Sequence, residues 1–263
     1  MADFVPQHSI VRKIWGDSDL ILLVFAGAAA EFALNRAVDW LFYTGRLPDD
    51  PVGRLFSTAR YAQEIVFVDE AVAERTLDRI TAAHGAVERR RGERIPDWAY
   101  RDVLYMLIDY SERAYRALRR PLTRAEQAEL YGTFHRVGAG MKIPHLPANY
   151  DAWHADRLLH LERDLAYSEH TAMLYDRYRE HLGPWRFELL VQVQAALAPE
   201  RVRRLLQLQP EPLIRLALWS YGLCRLRSLR SLAHWLLLPA QHLDEVKRLE
   251  IVRSSAFRRA SVA

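Results

Sequence analysis

The stretch from Asp50 to His84, DPVGRLFSTARYAQEIVFVDEAVAERTLDRITAAH, constrains the fold more than any other part of the chain. It reads as two helices joined by a short extended link. Asp50 can cap the first helix, and Pro51 suits the first helical position, where its missing N–H would have had no partner. Arg54 and Thr58 lie four residues apart and share a helix face, with Tyr61 one further turn along. Asp69 and Glu70 open the second helix, where negative charge complements the exposed N–H groups. On it Leu77, Ile80, His84 and Val87 follow a 3-4-3 spacing, so an imidazole belongs to the apolar stripe. By spacing alone such a histidine is most often a core residue whose nitrogens meet a carbonyl or a water. An arginine near a helix start is, by the same token, usually solvated or ion-paired.

Helical period and punctuation continue along the rest of the chain. A long helix is expected from Ser18 or Asp19 to just before Gly45, with the small-residue run LILLVFAGAAAEFAL at its centre. Glu88 to Arg94 reads as a solvated helix end and loop. Asp97 starts the next helix, with Val103, Met106, Leu107 and Tyr110 on its apolar side and Tyr105 within reach of a pocket. Thr123 and Glu126 form a T-x-x-E capping box. Asn149 caps a helical pair that ends at Gly183-Pro184, and Trp185 to Leu208 reads as one more helix. Only Ile65 to Val68 has strand composition, and it lacks a partner run, so it is expected to link the two central helices. The fold class that follows is all-α, a single domain of about eight to ten helices.

Half of the 263 residues are apolar, enough for one sizeable core, and no Gly/Ser/Pro linker divides them. The lone cysteine, Cys224, excludes an internal disulfide, a two-cysteine metal site and covalent c-type haem attachment. No histidine is preceded three residues earlier by glutamate, which removes the di-iron carboxylate pattern, and HExxH and G-x-S-x-G are absent. His154, His160, His170 and His181 repeat no ligand spacing and are expected to be mostly surface or supporting residues. The N-terminus carries no charged-then-apolar leader, and the run Leu20 to Ala30 stops at Glu31, too short to span a bilayer, so a cytoplasmic protein is expected. Residues 201–263 hold 12 Lys/Arg against 4 Asp/Glu, a net of +8, while the chain as a whole carries only +4. Nucleic acid is not expected as a partner, because no zinc-finger, RNP or repeated basic-aromatic pattern occurs. The apolar but arginine-studded segment from Leu213 to Leu238 fits a helix packed on the body, or one lying at a membrane surface.

The run Asp50-Pro51-Val52-Gly53-Arg54-Leu55 with Thr58, followed by His84, resembles the core signature of the MpaB / latex-clearing rubber oxygenase family. Val137 to Pro147, a glycine-rich turn ending in Leu-Pro, and the helix with Trp153 resemble the family's next elements in order and spacing. The resemblance runs from about Trp15 to about Leu208. It implies a helical domain enclosing a haem b pocket, with His84 as the iron ligand and Arg54 and Thr58 beside the haem. Arg54 then either anchors a propionate or stabilises charge developing on oxygen. It also implies molecular oxygen and an apolar or unsaturated, isoprenoid-like substrate. The corresponding division of the chain is an N-terminal segment 1–15, a catalytic domain 16–208 and a basic helical extension 209–263 packed on it. Three positions depart from the family: Ser57 replaces a lysine, Leu34-Asn35 replaces a His-Pro pair, and Leu104 replaces a histidine. These departures leave two alternatives to an oxygenase, a non-catalytic haem sensor or carrier, and a helical membrane-surface or partner-binding module without haem.

Overall fold

The helix of residues 18–34 is the axis of the molecule. Alanines and glycine dominate its middle, so neighbours approach closely, and nearly all of its side chains are buried. The computed structural model describes residues 2–43, 50–209, 211–223, 238–239 and 242–249, and among them the fold is all-α, with only two isolated β-bridges. The helices, in order, are α1 (Ile10–Trp15), α2 (Ser18–Leu34), α3 (Asp39–Tyr43), α4 (Pro51–Val66), α5 (Glu70–Arg91) and α6 (Asp97–Leu118). They continue with α7 (Arg124–Gly140), α8 (Tyr150–Arg163), α9 (Glu169–Leu182), α10 (Pro184–Leu197), α11 (Glu200–Leu206) and α12 (Pro212–Leu223). The number exceeds the expected eight to ten because α1, α3 and α11 are short pieces of five to seven residues.

Local chemistry sets most of the boundaries. Asp50 accepts the Gly53 N–H, Asp69 the Val72 N–H and Asn149 the Ala152 N–H, each capping the helix that follows. The Thr123/Glu126 capping box is formed in both directions. Two boundaries differ most from the sequence reading. The first long helix stops at Leu34, because Asn35 turns extended, its Oδ1 accepts the Ala37 N–H and its amide donates to Asp102. The helix expected through Leu208 breaks at Ala198-Pro199, since the residue before a proline is pushed out of helical geometry.

One apolar core runs through α1, α2 and α4 to α9. Trp15 is fully enclosed in it, edge-on to Phe25 at 6.1 Å and tilted against Phe134 at 5.8 Å. Each such side chain contributes about 1.5–3 kcal/mol of burial. A smaller cluster joins Ala30 and Leu34 to Leu161, Leu165 and Val202. α2 packs most extensively on α6, and α4 lies side by side with α5. Ile65 and Val66 complete α4, and the link after them is held by backbone bonds from Phe4 to Val68 and from Glu70 to Ala2. Val103, expected on the apolar side of α6, is exposed, whereas Tyr105 is fully buried and donates to Asp156 at 2.7 Å. Among the described residues no helix is long and apolar enough to cross a membrane.

Candidate functional site

The paired helices α4 and α5 carry the three residues singled out from the sequence. Arg54 sits one turn into α4 and is exposed. Ser57 Oγ and Thr58 Oγ1 both donate back to the Arg54 carbonyl, at 2.8 and 3.1 Å. His84 lies on the fourth turn of α5, half-buried. Its Nδ1 is 2.9 Å from the Ile80 carbonyl oxygen, which makes Nδ1 the N–H donor and leaves the lone pair on Nε2. No hydrogen bond reaches Nε2 among the described residues. The ring stands edge-to-face with Tyr100, centroids 5.4 Å apart.

Burial lowers the His84 pKa most. The Ile80 carbonyl opposes that shift, the Arg54 charge adds to it and Glu88 opposes it again. The net direction is down, so the imidazole is neutral at pH 7. The same balance shows that Arg54 and His84 stand within one another's field, across the α4–α5 seam. Glu88, one turn beyond His84, accepts from the Ile95 N–H and the Tyr100 hydroxyl.

Further along, α3 is clamped to the end of α5. Arg91 lies over the Trp40 ring at 4.1 Å and pairs with Asp39 at 2.7 Å, and the Tyr43 hydroxyl donates to the Arg90 carbonyl. The charge run there is thus only partly solvated. Behind α5, Gly140 lets α7 approach so closely that a Cβ on it would lie 2.6 Å from Leu77.

An apolar cleft of about 140 Å³ lies between α2, α4, α9 and α10. Val52, Phe56 and Ala59 line it, and they leave α4 from a different face than Arg54 and Thr58. Leu55 stands between the two faces and also lines the cleft.

Two buried polar clusters were not anticipated. Arg157 of α8 makes a bidentate pair with Glu31 at 2.5 and 2.6 Å, and also holds Asp109, which pairs with Arg113 at 2.6 Å. His160 is fully buried, the supporting rather than the surface role of the two expected for its group, with Nδ1 between Asp102 and Asp164. Asp102, His160 and Asp164 have the composition of a metal site. Their polar atoms are nevertheless already partnered: Asn35 donates to Asp102, Arg163 binds both oxygens of Asp164 and reaches His160 Nε2. The cluster is satisfied as a clasp between α2, α6 and α8. The readable signal was spacing, with Asp102 and Asp109 two turns apart on α6 and Arg157, His160 and Asp164 on one face of α8.

The three departures from the family pattern each have a place. Asn35 belongs to this clasp, Leu104 is core, and Ser57 is bonded within its own helix.

The family model described as ER-bound oxygenase mpaB/B'/Rubber oxygenase, catalytic domain, matches residues 12–235. No individual curated protein matches the chain. The match begins within α1 and runs through α12, including both site helices, and the chain belongs to the mpaB/rubber oxygenase catalytic-domain family.

Proposed function

We propose that the chain is a haem b-dependent oxygenase acting with molecular oxygen on an apolar, unsaturated, isoprenoid-like small molecule. The observation that carries this reading is the state of His84: neutral, with its Nδ1 proton held by the Ile80 carbonyl and its Nε2 lone pair unshared among the described residues. That is the form in which an imidazole binds a metal, one nitrogen donating to it while the other fixes ring orientation and basicity. His84 Nε2 would therefore hold the haem iron. Arg54, whose charge already reaches His84, suits the carboxylates at a haem edge or negative charge developing during the reaction. Thr58 adds a hydroxyl on the same face of α4. Haem, when bound, supplies the dioxygen chemistry that side chains lack. The chain's own part is to bind and orient it, with Ile80 and Tyr100 restricting water around the imidazole. The apolar cleft on the neighbouring face of α4 suits the substrate, with Leu55 between it and the site.

A second reading, a haem sensor or carrier without turnover, is favoured by Ser57, whose hydroxyl is engaged within its helix where the family has a lysine. Protein purified from haem-supplemented cells tests both. A Soret band lost in His84→Ala supports haem binding through His84, and its absence from the wild type leaves the helical module without haem. Oxygen uptake with a reductant and an unsaturated lipid then separates oxygenase from carrier.

A further inference from the structure

α12 is fixed to the body by one face and offers the other to solvent. Ile214, Leu218 and Tyr221 are partly buried, and Arg119, itself paired with Asp17, donates to the Gly222 carbonyl at 2.9 Å. On the opposite face Leu213, Leu216, Trp219 and Leu223 are 74%, 56%, 54% and 62% exposed. At 100° per residue, these four with Ala217 and Ser220 form a continuous arc that contains no charge. Arg215 borders the arc and leads into a groove of about 460 Å³ between α6, α8 and α11.

That groove is strongly basic. Arg113, Arg116, Arg201, Arg203, Arg204 and Arg215 line it, against only Glu162 and Glu200. Glu162 stands 3.3 Å from Arg201 and 3.4 Å from Arg204, and Glu200 lies 4.0 Å from Arg204. Arg201 Nε is buried without a hydrogen bond despite its nearness to Glu162. Arg116, Arg203 and Arg215 form no ion pair among the described residues. Leu158, 53% exposed, adds an apolar side chain to the groove's lining.

We propose that α12 and the arginine groove form one docking site for an anionic membrane surface. The outer face of α12 enters the boundary between headgroups and acyl chains, and lipid phosphates lie in the groove. A leaflet offers both chemistries side by side, apolar depth for Leu213, Leu216 and Leu223, an interface for Trp219, and phosphates for the arginines. A second copy of the chain suits the surface poorly, because a two-fold contact would set one arginine groove against another. The site is independent of the haem reading: its residues lie on α6, α8, α11 and α12, away from Arg54, Thr58 and His84.

Flotation of the full chain with vesicles of phosphatidylcholine alone, or mixed with phosphatidylserine, tests the proposal. Binding is expected only to the anionic vesicles, and it should weaken as salt rises. Arg203→Gln should weaken it about fivefold, and adding Arg215→Gln about thirtyfold in total. Trp219→Glu should abolish it. Leu213→Gln, at the most exposed of these side chains, should reduce it even where the tryptophan variant folds poorly. Flotation that is absent at low salt, or unchanged in the arginine or Leu213 variants, overturns the proposal. So does protection of the groove by inorganic phosphate without vesicle binding, which would mark a soluble-anion site.

Discussion

Arg157 and Glu31 meet at the centre of the bundle, two hydrogen bonds of 2.5 and 2.6 Å joining side chains that are almost wholly buried. Each charge is tolerable there only because the other is present. Arg157→Ala therefore strands Glu31 in the core and leaves Asp109 with Arg113 alone, and we expect a loss of about 3–5 kcal/mol. Urea unfolding checks this. The double replacement Glu31→Leu/Arg157→Met should be far milder than the sum of its single changes, because it removes both charges together.

The acid side of the stability profile follows from Asp109. Burial pushes its carboxyl up, but Arg113 and Arg157 outweigh that and hold it below the ordinary carboxylate range. A depressed folded pKa gives stability that is full above the unfolded value, about 3.9, and is lost as pH falls through the folded one. Asp109→Asn should thus be less stable than the wild type at pH 7, with the gap narrowing below about pH 4. Denaturant titrations at a series of pH values measure it, and a gap independent of pH would assign the effect to packing.

Two glycines should respond unequally to alanine. A Cβ on Gly27 would lie 2.4 and 2.5 Å from atoms of the Tyr110 ring, which is fully buried and cannot swing away. Gly27→Ala is expected to cost about 1–3 kcal/mol. On Gly140 the added atom meets Cδ1 of Leu77, the far end of a flexible side chain, so the cost there should be smaller. Thermal melts of the two variants give the order directly.

At the candidate site we expect His84→Ala to lose most haem, Arg54→Gln to keep haem but lose oxygen uptake, and Thr58→Val to show the mildest effect. Haem per chain and thermal stability are compared across the set. Full haem content in His84→Ala would remove His84 as the ligand. Loss of stability without any change in cofactor would make it an ordinary core histidine.

The helix boundaries were legible wherever their cause is local. Asp50, Asp69, Thr123 with Glu126, and Asn149 all cap as their side chains dictate, within three residues of the groups they bind. The site helices were legible for the same reason, and the family match spans both of them. The early end of α2 was hidden because the amide of Asn35 is held by Asp102, 67 residues away. Glu31 and Arg157 are 126 residues apart, and neither has a local pattern that names its partner. His160 looked like one of several scattered histidines until α6 brought Asp102 against α8.

The closeness of Arg54 and His84 along the chain bears on how the site comes into being. Only 30 residues separate them, and the two helices that carry them are successive, each started by its own aspartate cap. Bringing their ends together closes a short loop at low entropic expense, whereas the Glu31–Arg157 contact must close one four times as long. The hairpin bearing the candidate ligand can therefore assemble before the bundle around it is complete. A refolding chain pulsed with hydrogen exchange should protect the amides of α4 and α5 no later than those of α8.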